Sequence, residues 1–142
     1  TSTAVGARRA GLVVIELITN DQGTYGNDSG TISAQTALYQ SKLQSLVNAA
    51  LARPSQPAVL LVIPPAPSGR EVLYRQFKQV MLNVARATPH TTVLDLDSGV
   101  GLRTQTDLPA AWRQADGTHY TSEGLSAMAG MIAGALLAGR PD

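Results

Sequence analysis

Six consecutive apolar residues, Ala58-Val59-Leu60-Leu61-Val62-Ile63, stand between Pro57 and Pro64 with no polar group among them. A strand with one wet face alternates in polarity. One without alternation must be covered on both faces, which is the habit of parallel sheets. Gly11-Leu12-Val13-Val14-Ile15-Glu16-Leu17-Ile18 is a second such run, interrupted only by Glu16. Thr92 to Leu96 is a third, shorter and entered from Pro89-His90. Between them lie segments of helical period. Ser33 to Arg53 carries Tyr39, Leu43, Leu46, Val47, Ala50 and Leu51 on one side, with Ser33 as N-cap and Pro54 and Pro57 as stops. Glu71 to Arg86 carries Leu73, Phe77, Val80, Met81 and Val84. A last helix is predicted from Thr121 or Ser122 to Ala138, with Leu125, Met128, Ala129, Ile132 and Leu136 inward, after a long irregular stretch from Ser98 to Gly117. Strand, helix, strand, helix, strand, loop, helix is the order of an α/β fold layered on a parallel sheet.

A sheet of three strands is narrow, and its first strand has no evident cover for its outer edge. An apolar edge invites pairing with another segment. The length, 142 residues, suits one domain. We divide it into a connector or helix tail over residues 1–10 and a domain portion over residues 11–139. A net charge of +1 gives no basic footprint for nucleic acid. The absence of cysteine excludes a disulfide scaffold and a thiolate metal site or nucleophile. The apolar runs fall short of the ~20 residues of a membrane helix, and no segment reads as a signal peptide. The compartment stays open.

Ligands of open parallel sheets bind beyond the carboxyl ends of the strands. Thr19-Asn20-Asp21 follows the first strand, Pro64-Pro65-Ala66-Pro67 the second, and Asp116-Gly117-Thr118-His119 lies beyond the third. An Asp separated from a His by two residues can aim its carboxylate at Nδ1, fixing the tautomer and leaving Nε2 as a base. The same spacing also makes a plain Asx-turn ahead of a surface histidine. Asn20 can donate its amide to an oxyanion or simply end a strand. Glu16, inside the strand, reads as structural, and His90 as a solvated turn residue. His90 and His119, separated by 28 intervening residues and without clustered carboxylates, make no metal site. No phosphate-binding glycine loop is present, so no cofactor is expected. Trp112 and Tyr120 either line a pocket or pack the long loop.

Taken together, these segments resemble the SGNH (GDSL-type) hydrolases. Val13 to Asp21 is similar to their third block, an apolar strand leading to Gly-x-Asn-Asp, with Ile18 in the place of the glycine. Asp116-Gly117-Thr118-His119-Tyr120-Thr121-Ser122-Glu123-Gly124 resembles their fifth block. The resemblance implies a three-layer α/β/α flavodoxin-like parallel sheet, here its last three strands and their helices. It implies His119 as general base and acid, Asp116 as its orienting partner and Asn20 as an oxyanion donor. The first block, Gly-Asp-Ser with the nucleophile, and the second, with an oxyanion glycine, are not found before Val13. The expectation is part of a serine esterase or acyl-ester hydrolase acting on an acylated sugar, lipid or other acyl ester. Its serine would come from an upstream segment or partner chain, and the chain alone would turn over little ester. Gly26-Asn27-Asp28-Ser29-Gly30 offers Ser29 as a relocated nucleophile or a plain turn. A non-catalytic SGNH-like module, carbohydrate-binding or structural in a phage tail or cell-surface assembly, is the rival reading. An extracytoplasmic location or a larger assembly is compatible with both.

Overall fold

The structure, a computed structural model, describes residues 11–18, 29–66, 71–97, 108–116 and 119–138, the side chains of Ser29, Gly30 and Glu71 excepted. Strand β1 (Leu12–Ile15) is followed by helix α1 (Ser29–Leu51), strand β2 (Ala58–Ile63), helix α2 (Glu71–Ala87), strand β3 (Thr91–Asp95), a 3-10 turn at Ala110–Trp112 and helix α3 (Ser122–Ala138). The strands form one parallel sheet in the order β1-β2-β3. Leu12 pairs with Ala58 and Ile15 with Leu61, while Val59 pairs with Thr91 and Ile63 with Asp95.

The central strand explains the three layers. Side chains of a strand alternate between faces, so the apolar run of β2 divides into two sets. Val59, Leu61 and Ile63 enter a core with Tyr39, Leu43 and Val47 of α1 and Tyr74, Phe77 and Met81 of α2. Leu60 and Val62 enter a second core with Leu96 and Met128, flanked by Ile132 and Leu136 of α3. Both crossover helices thus lie on one face, as strands advancing in one direction with crossovers of one hand require. Their packing includes Tyr39 stacked on Phe77, ring centroids 4.1 Å apart and planes 11° from parallel. A pair of this kind adds about 1 kcal/mol to the burial of its area. The α/β/α layering and the parallel sheet agree with the sequence-based expectation.

Four details differ from it. The first apolar run contributes only Leu12–Ile15 to the sheet, which leaves Glu16 beyond the strand's carboxyl end rather than inside it. Helix α1 begins at Ser29, so Ser33 is an interior residue and not an N-cap; Ile32, packed against the larger core, carries the helix back beyond it. Leu46 faces outward on α1, because Leu43, Val47 and Ala50 already fill the buried stripe. Leu125 is 56% exposed on α3, and its neighbour in space is a cavity.

Among the described residues, β1 has β2 on one side and no strand on the other. Val14, whose partner Leu60 belongs to the α3-side core, is 45% exposed. A central-type sequence therefore occupies an edge position. The chain just beyond it is nevertheless anchored: Ile18 is fully buried in the larger core, and the Tyr39 hydroxyl donates to the Leu17 carbonyl at 2.8 Å.

Candidate active site

The described residues just before α3 form a short antiparallel pairing tied at its foot. Trp112 closes the 3-10 turn by donating its N–H to the Pro109 carbonyl at 2.9 Å. Its own carbonyl accepts the Thr121 N–H at 3.0 Å. Arg113 then faces Tyr120 in an antiparallel bridge, and the Gln114 N–H donates to the His119 carbonyl at 2.9 Å. The Gln114 side chain adds a bond from Nε2 to the Tyr120 carbonyl at 3.0 Å. Asp116 and His119 are thereby presented on opposite legs of a tight turn.

Thr121 serves both sides of the junction. Its hydroxyl donates to the Ala111 carbonyl at 2.5 Å and accepts the Gly124 N–H at 3.2 Å. The second bond is the N-cap contact that satisfies one of the unpaired amides of a helix start. Gly124 is required by contact: a Cβ there would lie inside van der Waals distance of the Trp112 carbonyl oxygen. The Ser122-Glu123-Gly124 sequence thus lets α3 start against the 3-10 turn.

Both carboxylate oxygens of Asp116 are used on one residue. Oδ1 accepts the backbone N–H of His119 at 2.9 Å, and Oδ2 lies 2.5 Å from His119 Nδ1. The turn contact and the ring contact, alternatives on sequence grounds, coexist. An ionised carboxylate can only accept, so the bond places a proton on Nδ1 and leaves Nε2 as the acceptor. The side chains are 66% and 47% exposed for His119 and Asp116 respectively. A pair this wet contributes little to stability; its value lies in holding the ring.

His119 borders a cavity of about 580 Å³, within the range typical of small-molecule sites. Glu16 and Gln114 are its other polar members, Val62 and Pro64 line it from the end of β2, and α3 supplies a wall. Tyr120 borders it as well, whereas Trp112 does not. Sequence reasoning assigned Glu16 a structural place; the early end of β1 moves it to the site. Its signal was present as the one charge in an otherwise apolar run. Asn20 lies outside the described residues, as does the side chain of Ser29. His90 is exposed in the turn before β3, with a φ of 57°, far from these groups in role.

Behind Pro64 stands a polar support that the sequence did not reveal. The Tyr74 hydroxyl donates to the Pro64 carbonyl. Burial pushes its ionisation far above the ordinary phenol value, with Asp97, Asp95, Tyr120 and Glu16 adding to the rise. Tyr74 is therefore a fixed donor. Four residues on, Lys78 Nζ bridges Asp97 Oδ2 at 2.6 Å and Asp95 Oδ2 at 3.0 Å. Burial works against the ammonium, but the hydrogen bonds and charges of Asp97 and Asp95 outweigh it, and its ionisation is raised. The Asp97 N–H returns to Asp95 Oδ1 at 3.1 Å, bracing the exit of β3.

Among the described residues no group of His, Asp and Glu could hold a metal ion, and no helix is long and apolar enough to cross a membrane. Among known families, the model for GDSL-like lipase/acylhydrolase matches residues 2–132. No curated protein and no solved structure matches at a significant level.

Proposed function

Because the chain belongs to the GDSL-like lipase/acylhydrolase family, we propose that it works in ester hydrolysis through His119, with Asp116 holding the ring and a serine supplied from outside residues 1–142. The family accounts for an acylhydrolase-type activity and an ester substrate. The observation that carries the finer assignment is the double contact of Asp116, Oδ1 on the His119 N–H and Oδ2 on Nδ1. It orients an imidazole whose Nε2 is left to take a proton beside a substrate-sized cavity.

In the proposed reaction a serine Oγ attacks the ester carbonyl while its proton passes to His119 Nε2. Asp116 stabilises the imidazolium. The proton then goes to the departing alcohol, and water, activated by the same nitrogen, releases the acyl group from the serine. Asn20, at the carboxyl end of the first strand's run, donates to the oxyanion. Among the described residues no strand pairs with the outer edge of β1, and a strand supplied there would end beside Glu16 and the cavity, which supports an external serine.

Treating the protein in its native cells with a fluorophosphonate probe, then mapping peptides from all that purifies with this chain, tests the assignment. The label should fall on a serine outside residues 1–142. Labelling of Ser29, or brisk p-nitrophenyl acetate hydrolysis by residues 1–142 alone that His119→Ala abolishes, would overturn the external serine. No label anywhere would overturn the esterase reading itself.

A further inference from the structure

The cavity beside His119 has one property that ester hydrolysis does not require: its fixed charge is negative. Glu16, exposed at the exit of β1, lines it together with Gln114 and His119, and among the described residues no lysine or arginine does. Two cations at this end of the molecule stay outside it. Lys78 bridges Asp95 and Asp97 at the exit of β3, one ammonium between two carboxylates. Arg113 directly precedes Gln114 on an extended leg, where successive side chains point to opposite sides, and it does not line the cavity. The Glu16 charge also acts across the end of β2. It adds to the rise in the ionisation of Tyr74, whose hydroxyl is bonded to the carbonyl of Pro64, itself a lining residue.

A carboxylate in such a cavity is compatible with only part of an ester. Negative charge grows on the carbonyl oxygen in the transition state, so a carboxylate beside that oxygen slows the reaction. The leaving alcohol carries no such penalty. Its oxygen must come within hydrogen-bond reach of His119 Nε2 to take the proton, which brings the group attached to it into the cavity that Glu16 shares with His119. Resting on the ester-hydrolase reading, we propose that Glu16 selects the alcohol half of the substrate by charge, favouring an ester whose alcohol carries an ammonium group over one whose alcohol carries a sulfonate, phosphate or carboxylate. A unit charge about 5 Å from a carboxylate in a site open to water changes affinity roughly fivefold. Cation and anion are then separated by roughly 25-fold.

Three acetate esters of similar size isolate the charge: acetylcholine, its uncharged isostere 3,3-dimethylbutyl acetate and the anionic 2-sulfoethyl acetate. Residues 1–142 labelled at the methionine methyl carbons are titrated with each and followed by NMR, which needs no turnover. Met128 lines the cavity and reports saturation, whereas Met81, buried in the core on the opposite face of the sheet, reports an intact fold. The apolar contacts of the three esters differ, so the quantity read is the change that Glu16→Gln produces, a substitution that removes charge and keeps size. It should weaken acetylcholine roughly fivefold, leave 3,3-dimethylbutyl acetate unchanged and strengthen 2-sulfoethyl acetate roughly fivefold. In the wild-type chain the preference should shrink as salt rises from about 0.01 M to about 1 M. A merely structural Glu16 would move all three affinities alike, and that result overturns the proposal, as does a Met128 methyl indifferent to acetylcholine. The two readings fail separately. Charge-selective binding by a protein that no fluorophosphonate labels sinks the hydrolase reading alone; labelling beside a cavity blind to charge sinks the Glu16 assignment alone.

Discussion

Replacement of Gly124 by alanine sets two effects of opposite sign against each other. Glycine inside a helix is less favourable than alanine by ~1 kcal/mol, so propensity alone makes the substitution stabilising. At Gly124, however, the added Cβ would run into the carbonyl oxygen and carbon of Trp112, which are backbone atoms and cannot rotate away. The displaced carbonyl is the acceptor of the Thr121 N–H, and the Thr121 hydroxyl is the acceptor of the Gly124 N–H. Overpacking costs typically 1–3 kcal/mol, and weakening two hydrogen bonds adds ~1 kcal/mol each. The opposing terms leave a net loss of about 3 kcal/mol, or a fall in Tm of roughly 10 °C for a chain of this size. Gly130 is the internal control, because it lies in the same helix with nothing within 4 Å of its would-be Cβ. Gly130→Ala should therefore gain roughly 0.5–1 kcal/mol. Urea titration of the two variants against wild type, with unchanged slope, measures both numbers. If Gly124→Ala is as stabilising as Gly130→Ala, α3 does not start in contact with the 3-10 turn and the tie to the hairpin is wrong.

Lys78→Met should cost about 2–3 kcal/mol by urea titration, because it leaves Asp95 and Asp97 mostly buried beside an apolar tip. The raised ionisation of Lys78 gives the same cluster a pH signature. A group whose folded value exceeds its unfolded one stabilises fully below the unfolded value and loses that contribution as pH climbs through the folded one. The loss is thus expected on the alkaline side, above the ordinary lysine value of 10.5, and should be absent in Lys78→Met. Asp116→Asn should change stability by less than ~1 kcal/mol, since the pair is exposed. Its amide turns a donor or a poorer acceptor toward Nδ1, so nitrogen NMR should show weakened preference for the Nδ1–H form of His119. With a serine supplied, turnover should fall by about 10⁴-fold.

What could be read from the residues in order depended on how far apart the interacting groups lie along the chain. Asp116 and His119 are three positions apart and joined by a turn, so local chemistry was enough to pair them. The division of β2 between two cores follows from its unbroken apolar run, and α2 from its single stripe. By contrast Lys78 meets Asp95 and Asp97 across 17 and 19 residues, and only the docking of α2 beside β3 joins them. Glu16 and Leu125 were misplaced for a related reason. A charge in an apolar run and a leucine in an apolar helix carry the same pattern whether their neighbour is core or cavity. The helix start expected at Ser33 was overridden by packing of Ile32, which carries α1 back to Ser29 and which a cap signal could not reveal.

The hairpin that carries His119 has a bearing on how this protein can drift in sequence. Trp112 to Thr121 is fixed at both ends by backbone bonds, and Arg113 with Tyr120 and Gln114 with His119 fix the register between. Side chains change face with each residue along an extended leg. One inserted residue between His119 and Thr121 would turn the imidazole away from the cavity even if every side chain that lines it were kept. Length is therefore under tighter constraint than residue identity in this segment, and a single-residue deletion there should do more damage than most substitutions.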